Sequence, residues 1–424
     1  MHKFKLYTLS GVSTLALAGF SLHSANAAGF YIQEQSVSGL GSAFAGQVAT
    51  PRDSSIVYYN PAGMTHLKGA HSSFGTHILA PSADLDNTGT SNLFGAPVGG
   101  DGGNPYSVIP IPNGSVSYEI LENKFWAGFA ISAPFGLEND YNDNWFGRFD
   151  STETRLTTLD FQPSIAIKLN DILSIGGGIN IQFADANLES IVFRSPVFGE
   201  EDNQLNGDDT SLGYNIGLLY QPVDSTTFGL HYRSAINHEL RGRLRIRNAT
   251  SSALGLDTNI RASADLNLPD IAQFGVNHRV NDKISVQAGA TWFGWNTFQD
   301  ITVQPEGGAA LAPVVQNYQT TWAFAVGGEY NLNPNWTLRA GYQYDETPTT
   351  DEFRTSLTPD GDRNWLSLGA TYKMNDKISL DMAATYVDIS DEKINLSRNG
   401  GLATIQADTS GSVGILAFGL NYKF

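Results

Sequence analysis

Three stretches share one arrangement of polar and apolar positions. KLNDILSIGGGIN (Lys168–Asn180), RVNDKISVQAGATW (Arg279–Trp292) and KMNDKISLDMAATY (Lys373–Tyr386) each pass from a strand end through Asn-Asp into strict alternation. Alternation with period two predicts a β-strand with one apolar face. The Asn-Asp pairs predict turns, because these side chains accept local backbone hydrogen bonds. Looser copies of the turn occur at Leu121–Lys124, Pro222–Asp224 and Asn333–Asn335. Their spacing of roughly 40–60 residues accommodates two strands and one long polar loop.

Six short turns join about twelve strands; one more precedes the first turn, near Gly69–Ala80, and one follows the last. The sum of about fourteen is the even number that a closed antiparallel barrel needs, with short turns on one side and long loops on the other. Closure has a physical cause, since a sheet edge in lipid leaves backbone groups unpaired where no water can satisfy them. The faces agree with this. Leu416, Phe418, Leu420, Tyr422 and Phe424 share one face of the last strand, and Ala417, Gly419, Asn421 and Lys423 share the other. Arg339 and Asp381 fall on inward faces, which requires a polar or wet interior. A β-sandwich also alternates, but its outward faces would carry more charge and fewer Trp and Tyr at strand ends. The expected fold class is therefore all-β, a 14-stranded antiparallel transmembrane barrel occupying residues 69–424.

The N-terminus adds two pieces. Lys3 and Lys5, the apolar Leu6–Phe20 and the small-residue site Ala25-Asn26-Ala27 make residues 1–27 a cleaved export signal. Residues 28–68 are rich in Gly, Ala and Ser and lack an apolar run that could fold alone, so they are expected to fill the barrel as a hatch. Within them Asn60-Pro61-Ala62 reads as a capped turn or helix start.

Composition narrows the function. A net charge of -17 opposes a nucleic-acid partner. With no cysteine there is no disulfide framework and no thiolate site. Charged residues make up only 16% against 11% aromatic, which suits an outer face that meets lipid. No catalytic constellation and no metal-ligand spacing stands out, and the histidines are scattered; neither an enzyme nor a cofactor is expected. Acidic clusters such as Glu200-Glu201-Asp202 fall in long loops, where they either stay solvated or bridge through cations to lipopolysaccharide.

GFYIQEQSVSGLGSAFAG, YYNPAG (Tyr58–Gly63), YRS (Tyr232–Ser234), NLPD (Asn267–Asp270), WFGWNTF (Trp292–Phe298), NWTLRAGYQYD (Asn335–Asp345) and DRNWLSLGATY (Asp362–Tyr372) together resemble the FadL family of outer-membrane transporters. The resemblance runs in order over the whole mature chain. It implies passive uptake of long-chain fatty acids or other hydrophobic molecules, captured at outer loops and passed to a pocket beside the hatch. The ligand then leaves sideways into the Gram-negative outer membrane through an inward kink in the third strand, expected at Lys124–Ala133 followed by Pro134-Phe135-Gly136. Pro removes a ladder donor there and Gly permits a bend. Phe30 and Asn60–Ala62 would set the hatch, Ala133, Pro134, Phe135 and Gly136 the exit.

Candidates for ligand contact are Trp292, Trp295, Phe298, Arg233, Arg241 and Arg243. Alternation puts Leu240, Leu244 and Ile246 outward and Arg241, Arg243, Arg245 and Arg247 toward the lumen with Arg233. This matters because the basic pair that meets the carboxylate in the family's fatty acid carriers aligns with Ser190 and Thr302 here. A channel for aromatic or alkane hydrocarbons, a surface adhesin or phage receptor, and an open porin are the competing readings. The terminal Phe424 resembles the signal read by the barrel-assembly machinery, and a monomer in contact with outer-membrane lipid and lipopolysaccharide is expected.

Overall fold

The computed structural model describes residues 29–92, 98–142, 144–195, 197–401 and 403–424; the export-signal reading of residues 1–27 lies outside them. Fourteen antiparallel strands form one closed ring. In chain order they are β1 (Ala70–Asn87), β2 (Ile109–Leu121), β3 (Phe125–Ser132, resumed at Gly136–Asp140), β4 (Glu153–Asn170), β5 (Leu173–Ser195), β6 (Gly199–Val223) and β7 (Thr226–Arg233, resumed at Ile236–Arg247). There follow β8 (Thr258–Leu268, resumed at Ile271–Arg279), β9 (Ile284–Phe293, resumed at Val303–Pro305), β10 (Thr321–Asn333), β11 (Trp336–Asp345), β12 (Arg363–Lys373), β13 (Ile378–Arg398) and β14 (Ala403–Lys423). Each strand pairs with its sequence neighbours, and β1 closes the ring on β14 from His71↔Lys423 to Asn87↔Ala407. The six Asn/Asp/Pro turns expected from sequence all lie at one end. The first strand is longer than expected, reaching Asn87 instead of Ala80.

Alternation sorts side chains as the physics of a lipid-facing wall requires. In β14, Leu416, Phe418 and Leu420 are exposed while Ile415 and Ala417 are buried. Aromatic pairs mark the short-turn rim, with Trp336 against Tyr372 (centroids 4.8 Å) and Tyr422 against Phe424 (4.7 Å). Arg339 and Asp381 do point inward, where Arg339 Nε donates to Glu329 at 2.7 Å.

Residues 29–67 pack inside the ring. They form only short helical turns, α1 (Val37–Leu40), α2 (Ile56–Tyr59) and 3-10 turns at Gln47–Ala49 and Pro61–His66. Such pieces are too short to be stable alone, so the wall holds them. Asn60 Nδ2 donates to Val48 O (2.8 Å) and to Leu218 O of β6 (3.0 Å), while its Oδ1 accepts from the Ala62 amide. Trp126 Nε1 donates to Leu67 O at 2.9 Å. Arg52 joins Glu329 and Arg339 in a buried ion network. Glycines in the wall admit the segment's backbone: a Cβ on Gly229 would lie 2.2 Å from Val48 O, and one on Gly341 2.2 Å from the Ser42 carbonyl.

One expected face is inverted. In β7 Arg233 is buried and inward, but Ile236, His238 and Leu244 are the buried residues of its upper part. The strand breaks at Ser234-Ala235, and one displaced residue swaps every later side chain to the other face. Arg241, Arg243, Arg245 and Arg247 therefore face outward, with Arg241 paired to Glu239 and Arg245 to Gln204.

Candidate functional site

The wall is interrupted where Pro and Gly were placed. β2 pairs with β3 only from Gly114↔Ile131 downward, whereas it stays paired with β1 up to Ile109. Above that level β3 breaks at Ala133–Phe135 and resumes against β4 alone. Its count is uneven: four residue steps from Ser132 to Gly136 face three from Asp160 to Thr157. The facing edge of β2 carries Pro110 and Pro112, which have no amide hydrogen to offer. Sequence reading missed these two prolines, although the run IPIP was visible.

The N-terminal segment closes this break from inside. Ile32 N donates to Pro134 O (2.8 Å) and Gly136 N to Phe30 O (2.9 Å). Gln35 spans the kink with its amide, Nε2 donating to Ala133 O (3.1 Å) and Oε1 accepting from Ala133 N (3.3 Å). Gly29 N donates to Asp360 at 2.8 Å, and Asp360 is itself held by Arg363. Asp360 belongs to a long acidic loop, yet it is buried, because it anchors the start of the N-terminal segment.

Above the break lies an apolar pocket of about 70 Å³. Leu137, Leu156, Leu188, Leu205, Leu240 and Leu266 supply much of its wall. Phe30 forms its floor, with its ring 4.7 Å from Trp295, 5.3 Å from Phe298 and 6.2 Å from Phe135 between centroids. Edge-to-face contacts of this kind hold an aromatic ring firmly. Trp295 and Phe298 reach the lumen because the chain leaves β9 after Phe293 and turns inward. Tyr318, 5.0 Å from Phe298, completes the cage and was not foreseen, since nothing in its flanking sequence alternates.

Other candidates lie elsewhere. Trp292 is on the outer wall beside Trp322, one residue out of phase with the buried Phe293. Arg233 is inward but occupied. Its guanidinium reaches Asp160 (3.2 Å), Gln162 (2.8 Å) and Tyr58 O (3.1 Å) and lies over the Tyr58 ring. It braces the segment instead of lining the pocket. Among the described residues Arg155 is the one basic residue along the pocket, and it alternates with the buried Thr154 and Leu156, so its side chain points away. Gln316 lines the pocket and has a buried amide nitrogen without a protein partner.

Glu34 is a further buried group of the segment, with neither carboxylate oxygen bonded. Burial pushes its carboxyl up from 4.5 to about 7, against the opposing pull of the nearby backbone amides of Glu34 and Gln33 and of Arg363. A folded-state pKa above the unfolded one means the packed segment retains a proton that the free chain releases. Packing is then fully stable below the unfolded value and weakens as pH rises toward about 7, by roughly 3 kcal/mol in all. Limited proteolysis of the segment should therefore be faster at about pH 8 than at about pH 5, and Glu34→Gln should remove the difference. A wild-type rate independent of pH would contradict this.

Over residues 20–424 the chain matches the family described as "Outer membrane protein transport protein (OMPP1/FadL/TodX)". It is 28% identical over 453 residues to the long-chain fatty acid transport protein of Escherichia coli O6:H1, covering 98% of this chain and 99% of that one. It is 28% identical to outer membrane protein P1 of Haemophilus influenzae, over 91% of this chain and 90% of the relative. The crystal structure of a Pseudomonas aeruginosa FadL homologue superposes with a TM-score of 0.86 at 26% identity, covering 94% of this chain and all (100%) of that one. The Ralstonia pickettii toluene transporter TbuX shares the fold, with a TM-score of 0.66 at 20% identity over 91% of this chain and 98% of that one.

Proposed function

Because this chain belongs to the OMPP1/FadL/TodX family of outer-membrane transport proteins, we propose that it carries long-chain fatty acids, or neutral molecules of similar length, from the cell exterior into the outer membrane. The protein is a transporter of hydrophobic substrates, not an enzyme. Residues 28–68 act as the hatch, which blocks the direct route through the lumen. The ligand displaces Phe30 from its cage, occupies the leucine-lined pocket, and leaves through the break between β2 and β3. Lateral delivery has a driving force, because an apolar chain gains about 0.8 kcal/mol per CH₂ on leaving water. No pump is needed. The long loops face outward toward lipopolysaccharide, and Phe424 presents the assembly signal of a monomeric barrel.

The observation that carries this reading is the apolar pocket sharing Phe30 with the strand break. Its present volume of about 70 Å³ is below the roughly 300 Å³ of a typical ligand site, so occupation requires Phe30 to move. Lined this way, the pocket offers a buried amide at Gln316 and, among the described residues, no inward cation. Hydrogen bonding to a neutral donor discriminates less than a charged pair does. Oleate and an uncharged hydrocarbon of the same length are therefore expected to bind within about tenfold of each other, a difference of about 1.4 kcal/mol. Isothermal titration of the detergent-purified protein measures this. Binding confined to oleate would require a cation elsewhere and would defeat the neutral-pocket reading. Affinity for the hydrocarbon alone would favour a hydrocarbon channel.

A further inference from the structure

The wall has a second interruption, five strands further round the ring from the break between β2 and β3. Strands β7 and β8 pair above at Ile236↔Leu268 and below at Arg233↔Ile271. Between these levels lie Ser234-Ala235 on one strand and Pro269-Asp270 on the other. Among the described residues no backbone hydrogen bond joins the two dipeptides. Ser234 N donates instead to Tyr214 O of β6, and Asp270 O accepts from Gly294 N beyond β9. Each dipeptide is thus held by its outer neighbour, and Pro269 has no amide hydrogen to offer across the seam. Both strands also invert their faces here: Arg233 and Ile236 are both buried, as are Leu268 and Ile271.

Apolar surface lies on both sides. Inside, a single buried cluster runs from Phe135 at the first break through Tyr31 and Phe293 to Leu268 and Ile271 at the seam. Tyr31 bridges the two, with ring centroids 5.5 Å from Phe135 and 5.2 Å from Phe293. The pocket meets the same strands through Leu240 and Leu266. Outside, immediately below the seam, the lipid-facing wall holds a notch of about 450 Å³. It exists because Ala272 and Ala290 carry only methyl groups between the larger Leu230, Phe274, Trp292 and Trp322. One polar contact crosses the seam at the lipid side, Tyr232 Oη donating to Asp270 Oδ2 at 3.1 Å.

We propose that the β7–β8 seam is a second lateral portal, through which hydrophobic cargo passes from the pocket to the notch and into the membrane. This rests on the transport reading above. Between the two dipeptides there is, among the described residues, no backbone hydrogen bond to break, so opening starts there and spreads the flanking pairs Ile236↔Leu268 and Arg233↔Ile271. The side chains of Ile236 and Leu268 move aside and the Tyr232–Asp270 bond releases. An apolar molecule at the pocket then has two ways out, one past Phe135 and one past Phe293, with Tyr31 against both.

The chain has no cysteine, so a pair introduced as Ala235→Cys with Pro269→Cys can be bridged without competition. Uptake of radiolabelled oleate is measured in a Gram-negative host lacking its own family member, in the oxidised and reduced states. Crosslinking the otherwise native chain should lower uptake roughly twofold, with recovery on reduction. In a chain that also lacks Pro134, the same crosslink should remove the uptake that remains. Ala272→Trp, which fills the notch from the lipid side and leaves the seam untouched, should act in the same direction. Equal uptake in both redox states, or no residual uptake once Pro134 is deleted, overturns the second portal. If the unmodified chain itself fails to raise uptake, the transport reading falls, and the portal with it.

Discussion

Deleting Pro134 is expected to cut uptake of long-chain fatty acid roughly twofold, and by about tenfold or more once the β7–β8 seam is also crosslinked, while the barrel still folds. The reason is the uneven count at the break, where β3 has one more residue than β4 between Ser132↔Asp160 and Gly136↔Thr157. Removing one residue equalises the two strands, so β3 can run on without bending inward and its edge can approach β2. The free backbone groups now held by Gln35 and by Phe30–Ile32 would then be taken up by the sheet. Pro134 is the residue to remove because it contributes no amide donor to the sheet; the one bond lost with it is the Ile32 amide to its carbonyl. Heat-modifiable gel mobility reports folding, and radiolabelled oleate reports transport. A folded deletion variant with undiminished uptake would sink the exit between β2 and β3.

The second large effect concerns the hatch. Gly229→Val combined with Gly341→Val should convert a closed barrel into an open aqueous pore. Each new Cβ meets backbone of the inner segment at 2.2 Å, well inside contact distance. A carbonyl cannot swing away as a side-chain end does. Overpacking costs about 1–3 kcal/mol per site, and these two sites press on the same short stretch, Ser42–Val48. That stretch is already strained, with Ala43 at φ 50° and Phe44 at φ 57° in the left-handed region. Planar-bilayer recordings should show stable ion currents for the double variant and none for the native protein. A silent double variant that is correctly folded would mean the segment does not act as a removable plug.

Several features of the site were readable in the chain because they depend only on local chemistry. Pro134-Phe135-Gly136 disfavours a continuous ladder wherever it occurs, and Asn60-Pro61 caps a turn with its own atoms. Phe30 sits three residues into the small-residue segment and was singled out by its motif. Others were not readable. Gln35 and Asp360 act on backbone brought to them from positions 98 and 331 residues away in the chain. Tyr318 reaches the cage from a loop with no periodic pattern.

By itself the sequence determined the barrel. Turn dipeptides recurring at regular intervals set the number of hairpins, and period-two alternation set which face meets lipid; each turn and each face is a property of neighbouring residues. Tertiary structure decided the interior. Alternation predicts a face only while a ladder continues, so the dislocation at Ser234-Ala235 turned Arg241 and Arg243 outward and brought Leu240 to the pocket. Arg233 stayed inside but was claimed by Asp160, and Trp292 fell on the lipid side. Which strands lose a partner, and what fills the gap, follows from the closed ring and the segment packed within it. Those are long-range pairings, and no local run of residues encodes them.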